Sequence, residues 1–148
     1  MTNENVVELK SRNQTRTLVE ELLEERKLVW SAYCAVSGIE EYKGKKTIEE
    51  LVQDFCQITI DYISLGHFGV YQRILDGTER RKSVMTAAER IYPKISAATE
   101  VVLDFNDKYE HLTPALILNE LSNSLSGVGE QLANRIELED ELIGEMLA

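Results

Sequence analysis

Few residues in this chain are equipped for chemistry: two histidines, His67 and His111, two cysteines, Cys34 and Cys56, and 26 acidic side chains against 16 basic ones. Di-iron centres in helical proteins need a Glu-x-x-His pair on each of two helices. Here Ser64 stands three residues before His67 and Lys108 three before His111, so the carboxylate ligand is missing both times. The cysteines are too widely spaced for a zinc clamp, and neither His-x-x-x-His nor Cys-x-x-Cys occurs. No metal or cofactor is expected. A Gly-x-Ser-x-Gly elbow, a phosphate loop and a dinucleotide fingerprint are also absent, so the chain does not read as an enzyme. Cys34 activated by His67 is a conceivable nucleophile. Both cysteines sit among apolar residues, however, and a reactive thiol needs an electropositive setting, which favours a packed thiol and a packed imidazole. Acid pairs such as Glu139-Asp140 read as a solvated helix face.

A formal charge of -10 repels phosphate backbones and anionic lipid, so direct nucleic-acid or membrane binding is disfavoured. The same field attracts a basic protein surface, but a net negative charge is also an ordinary solubility device, and charge alone does not choose between the two. Four glutamate pairs, Glu20-Glu24, Glu21-Glu25, Glu137-Glu141 and Glu141-Glu145, place like charges one helical turn apart. Each is expected to cost about 0.2 to 0.5 kcal/mol on an exposed helix, and their persistence points to a useful negative field.

These side chains must be positioned by helices. Only Pro93, Pro114 and eight glycines interrupt the chain, and apolar residues between them recur at helical spacing. Val19, Leu22, Val29, Tyr33 and Val36 stripe a first helix from Thr15 to Ser37, widened by Leu23 and Trp30 and ended by Gly38. Residues 1–14 are polar and expected to fray, leaving 15–148 as one domain. Thr47 and Glu50 form a capping box ahead of Ile48, Leu51, Val52, Phe55, Thr59 and Tyr62, with the segment broken near Gly66 and stopping at Asp76-Gly77. A third pattern from Arg80 to about Tyr109 contains Pro93, which should kink or divide it. Thr113-Pro114 opens the last, striped by Leu121, Leu125, Val128, Leu132, Ile136, Ile143 and Leu147. The fold expected is all-α, a single-domain bundle of four long helical segments. No apolar run is long enough to span a bilayer, and Met1 to Asn13 has no secretory pattern, so a cytoplasmic address is expected.

The stretch from Gln53 to Leu75 is the most informative. At about 100° per residue, Asp54, Gln57, Asp61 and Ser64 fall opposite the apolar stripe, with Leu65 and Phe68 near them if the helix continues. Acids around an apolar anchor suit a protein interface, because the carboxylates steer and the ring gains burial energy. Alternatively Gly66 breaks the helix and turns Phe68 into the core.

The Asp54-Phe55-Cys56-Gln57 run, then Asp61-Tyr62, Ser64, Gly66-His67-Phe68, Tyr71 and Arg73-Ile74-Leu75, closely resembles the Rsd/AlgQ family, the regulators of sigma D. Leu18-Val19 through Ala32-Tyr33, Ala87-Ala88 with Tyr92-Pro93, and Leu121-Ser122 through Leu138-Glu139-Asp140 extend the resemblance over nearly the whole chain. It implies an anti-sigma factor that holds the primary sigma factor of RNA polymerase, chiefly by its C-terminal helix-turn-helix domain, and so blocks promoter and core polymerase contacts. The residues expected to meet that partner are Asp54, Gln57, Asp61, Ser64, Leu65 and Phe68. Two other functions compete: a histidine phosphotransfer bundle with His67 as phosphoacceptor, although Val70 and Tyr71 stand where Lys and Gly belong, and a helical adaptor for another regulator.

Overall fold

Apolar residues recurring at helical spacing give long helices here, with no proline or glycine in the first and Pro93 or glycines tolerated inside later ones. The computed structural model describes the backbone of residues 3–38, 44–72, 81–110 and 114–148, and side chains within 13–38, 44–72, 81–110 and 120–148. Helix α1 spans Asn3–Ser37 and α2 Ile48–Gly66, a π turn follows at His67–Tyr71, then α3 spans Lys82–Glu110 and α4 Pro114–Leu147. No strand occurs among the described residues. The first helix starts twelve residues before the Thr15 expected from its apolar stripe, since nothing in Asn3 to Gln14 forbids helical backbone.

Local signals account for the helix ends. Gly38 takes a φ of +75° and its amide bonds the Cys34 carbonyl at 3.1 Å, a left-handed cap that glycine adopts without penalty. Thr47 Oγ1 accepts the Glu50 amide at 3.2 Å and starts α2. Pro114 occupies the first helical position of α4, as expected, while Thr113 and the Asp76-Gly77 turn lie outside the described residues. Pro93 does not divide α3. Its ring removes the bond to the Glu89 carbonyl, and both residues are exposed, so water can satisfy that oxygen. The irregularity expected near Gly66 is a π turn rather than a stop. Gly66 itself keeps α geometry at φ -61° and ψ -46°, and the chain continues helically beyond it.

Side-chain contacts set the topology. Tyr33 meets Phe55 and Arg26 meets Tyr62, so α1 and α2 are antiparallel neighbours. Phe55 meets Phe105 and Tyr71 meets Tyr92, which places α3 antiparallel to α2. Arg90 pairs with Glu141 and Lys108 with Glu120 across the α3–α4 seam, and Tyr33 reaches the Leu125 carbonyl of α4. The four helices form an up-down-up-down bundle in the order α1, α2, α3, α4 around its axis. Val19, Leu22, Val29 and Val36 of α1, and Leu51, Val52, Phe55 and Tyr62 of α2, are buried as their stripes require. Near the N-terminal half of α2 the core is aromatic. Trp30, Tyr33, Phe55, Phe105 and Tyr109 touch in succession with ring centroids 4.5 to 5.8 Å apart, each pair adding about 0.5 to 1.5 kcal/mol beyond its area.

Two turns further along α2 the core becomes polar. The last helix does not keep its apolar stripe: between Leu132 and Leu142 its inner face carries Arg135 and Glu139, each 1% exposed, while the expected core residue Leu147 is 49% exposed. Reading Glu139-Asp140 as a solvated acid pair is therefore correct only for Asp140. Spacing explains the difference, since Leu132, Arg135, Glu139, Leu142 and Met146 follow one another at steps of three or four and must share a face.

Candidate functional site

On α1, Thr17, Glu20, Glu21, Glu24 and Glu25 recur at intervals that keep them beside α2. Asp61 and Leu65, one turn apart on α2, face them. Together they form an open groove of about 540 Å³. Its floor is Leu65, half-buried against the core, and its walls carry five carboxylates, from Glu20, Glu21, Glu24, Glu25 and Asp61. Gln57 Nε2 donates to Asp61 Oδ1 at 3.0 Å and holds that carboxylate from one side. Lys27 Nζ bonds Glu24 Oε1 at 2.9 Å, whereas no cation among the described residues pairs with Glu20, Glu21, Glu25 or Asp61. Like charges are thus gathered across two helices with only Glu24 locally paired, an arrangement that attracts positive charge.

Phe68 lies one turn beyond Leu65 and is 69% exposed. The π turn, in which the Gln72 amide reaches back to the His67 carbonyl, sends Val70 and Tyr71 into the core and leaves Phe68 outside. Its ring meets the His67 imidazole edge-on, with centroids 5.0 Å apart. Of the two placements open from sequence, the outward one is observed. His67 is half-buried beside that ring.

The expected face divides in the folded chain. Asp61 and Leu65 line the groove, Ser64 is half-buried and does not line it, and Phe68 is exposed three residues past Leu65. Asp54 is two turns away and pairs with Lys46, and Gln57 also lines a different cleft, between α2 and α3. The α1 glutamates are what the reading of α2 alone missed. Their i, i+4 density was visible in the sequence, but only the antiparallel packing of α1 on α2 puts them opposite Asp61.

Behind the groove lies the buried polar cluster. Glu139 Oε1 accepts from the Tyr62 hydroxyl and from Arg26 Nη2 at 3.3 Å, and Oε2 accepts from Arg135 Nη1 at 2.9 Å and the Tyr71 hydroxyl at 3.4 Å. Arg26 also donates to Asp140 Oδ1 at 2.7 Å, and Arg135 Nε donates to Thr99 Oγ1 at 3.1 Å. The Arg135 guanidinium stacks 5.2 Å from the Tyr62 ring centroid. Two arginines offset two carboxylates, so the charge balances in place. Burial, reinforced by the charge of Glu139, pushes the Tyr62 and Tyr71 hydroxyls well above the usual phenol range and keeps them as donors. Every helix contributes to this cluster, which fixes α1 and α2 from behind.

Among the described residues no group of three or more His, Cys, Asp or Glu side chains is placed to hold a metal ion, and no helix is long and apolar enough to cross a membrane. The groove presents charge, and an exposed ring lies one turn beyond Leu65. Residues 1–147 match the family described as regulator of RNA polymerase sigma(70) subunit, Rsd/AlgQ. Similar proteins include the Regulator of sigma D of Yersinia enterocolitica, 35% identical over 130 residues that cover 85% of this chain and 78% of that one. Those of Shigella dysenteriae and Yersinia pseudotuberculosis are 37% identical over 131 residues and 34% over 132, covering 85% of this chain and 81% and 77% of theirs. No solved structure matches. With the match running almost end to end, the chain belongs to the Rsd/AlgQ family of regulators of the RNA polymerase sigma(70) subunit.

Proposed function

We propose that the protein is a cytoplasmic anti-sigma factor that binds the primary sigma factor through the α1–α2 groove, with Asp61, Ser64, Leu65 and Phe68 on the contact surface and Asp54 and Gln57 at its margin. The observation that carries this reading is a groove lined by five carboxylates and Leu65, with Phe68, 69% exposed, three residues further along the same chain segment. An aromatic anchor next to charge that sets register is the composition of a binding hot spot. The C-terminal domain of sigma is a helix-turn-helix, and such domains present basic residues to DNA phosphates. Carboxylates on this groove can take the place of those phosphates, so sigma held here loses its promoter contacts. Regulation then follows from occupancy of a surface, with no bond made or broken.

The test is a titration of the full chain with fluorescently labelled sigma(70) and with sigma lacking its C-terminal domain. Saturable binding to the first and not to the second is expected. Equal binding to both moves the contact to another sigma domain, and no binding to either removes the proposal.

A further inference from the structure

Helix α1 and the π turn meet at a glycine. A Cβ built on Gly69 would stand 2.5 Å from Leu18 Cδ1, 3.1 Å from Cδ2 and 3.3 Å from Cγ. Non-bonded carbons prefer about 3.5 to 4.0 Å, so the end of the leucine fills the place of a side chain at 69. Turning Leu18 about χ2 exchanges one methyl for the other and leaves Cγ where it is. Backbone conformation is not what calls for glycine here. Among the described residues only Gly38 has a positive φ, so alanine can follow the same path at 69, and what the position requires is space. At Gly127 and Gly144, by contrast, an added Cβ would meet nothing within 4 Å.

Leu18 ties this contact to the groove. It is half-buried against the core and lines a cleft on α1 with Asn13, Gln14, Thr17 and Glu21, and Thr17 and Glu21 also line the α1–α2 groove. On the other side, Gly69 follows the exposed Phe68 and precedes Val70 and Tyr71, both 2% exposed. We propose that Gly69 is a positioning residue for sigma binding: lacking a side chain, it lets Leu18 seat on the π turn and so fixes where the Phe68 ring stands relative to the carboxylate wall of α1. Its part in binding rests on the sigma reading above, whereas its hold on the ring does not. A methyl at 69 must push Leu18 off its seat or the turn away from α1. Val70 and Tyr71 are packed in the core, so the displacement falls on the outward side of the turn, where Phe68 stands.

Fluorophenylalanine incorporated into the full chain labels three rings, Phe55 and Phe105 in the core and Phe68 outside. Gly69→Ala should shift the Phe68 fluorine resonance and leave the other two in place. It should also weaken sigma(70) binding about tenfold, the scale of a displaced hot-spot side chain, and have no further effect in a Phe68→Ala background. Leu18→Ala empties the seat without adding an atom, so it should move the same resonance and keeps the test open should Gly69→Ala fail to fold. The double variant should return ring and affinity toward the parent, since the new methyl fills the vacated space, and Gly127→Ala should move neither. A Phe68 resonance unmoved by the folded variants overturns the positioning role, as does a Gly69→Ala effect on binding that persists undiminished without the Phe68 ring. A shifted ring with unchanged sigma affinity overturns its part in binding. If the parent itself does not bind sigma, the sigma reading fails, and the fluorine shifts still decide whether Gly69 places the ring.

Discussion

Arg135 and Glu139 form a 2.9 Å salt bridge one turn apart on α4, with each side chain 1% exposed. The bridge is tolerated because both charges are completed by other elements: Glu139 by Tyr62, Tyr71 and Arg26, and Arg135 by Thr99 and the face of Tyr62. Removing one partner of such a pair leaves an uncompensated buried charge, whereas replacing both with apolar groups does not. Glu139→Ala should therefore destabilise the fold by about 3 to 5 kcal/mol in urea denaturation. The double variant Arg135→Met with Glu139→Leu should recover most of that loss. A Glu139→Ala protein as stable as the parent would falsify this account of the core.

At the groove, Asp61→Arg reverses one carboxylate on an exposed helix face. Helix content and melting temperature should hardly change, and sigma binding should weaken in a calorimetric titration, by about 2 to 5 kcal/mol where the complex desolvates the pair and by less at a rim. Undiminished binding by this variant moves the contact elsewhere.

Phe68→Ala separates an anchor from a core residue. With the ring 69% exposed, stability should move by less than about 0.5 kcal/mol while sigma binding falls. A loss of about 3 to 5 kcal/mol in stability, the cost of emptying a core phenylalanine, would contradict the outward placement.

Association should depend on salt. Five carboxylates facing a basic domain accelerate encounter at low ionic strength, and screening removes that gain as the Debye length falls to about 8 Å at physiological salt. Stopped-flow association rates should drop clearly over that range. A rate indifferent to salt would leave the glutamates as ordinary solvated residues.

Alkaline stability follows from Cys56. Its thiol is raised from 9.0 to about 11 in the folded chain, so the folded state holds that proton more tightly than the unfolded one. The associated stability is fully present below about pH 9 and is lost as pH rises through about 11. Cys56→Ala should flatten this part of the pH profile of unfolding, and an unchanged slope would assign it to other groups.

Gly129 offers a packing test. A Cβ there would lie 2.2 Å from the Tyr33 hydroxyl, which donates to the Leu125 carbonyl at 2.9 Å. Gly129→Ala must displace the ring, so a loss of about 1 to 3 kcal/mol in thermal unfolding is expected.

The helices were legible because Val19, Leu22, Phe55, Tyr62 and Leu132 repeat at a period that composition cannot disguise, and because Gly38, Thr47 and Pro114 carry their own end signals. Residues that break the pattern were not. Glu139 read as surface because charge ordinarily belongs there, and only its shared spacing with Leu132, Arg135 and Leu142 shows otherwise. The outward Asp61 could be read from α2, whereas the glutamates opposite it required knowing which face of α1 packs on α2. Phe68 stayed ambiguous because a single π turn rotates all that follows, and nothing in the Gly66-His67-Phe68 run announces that turn.

The groove's two walls are each anchored by the residue next to a groove carboxylate: Arg26 follows Glu25, Tyr62 follows Asp61, and both bond Glu139. A random-mutagenesis screen for lost sigma binding should then recover Glu139 alongside Asp61, although Glu139 is buried and never meets the partner. Suppressors would tell the two classes apart. Compensating changes for Glu139 should map to Arg26, Arg135 or the tyrosines within this chain, and those for Asp61 to the sigma factor.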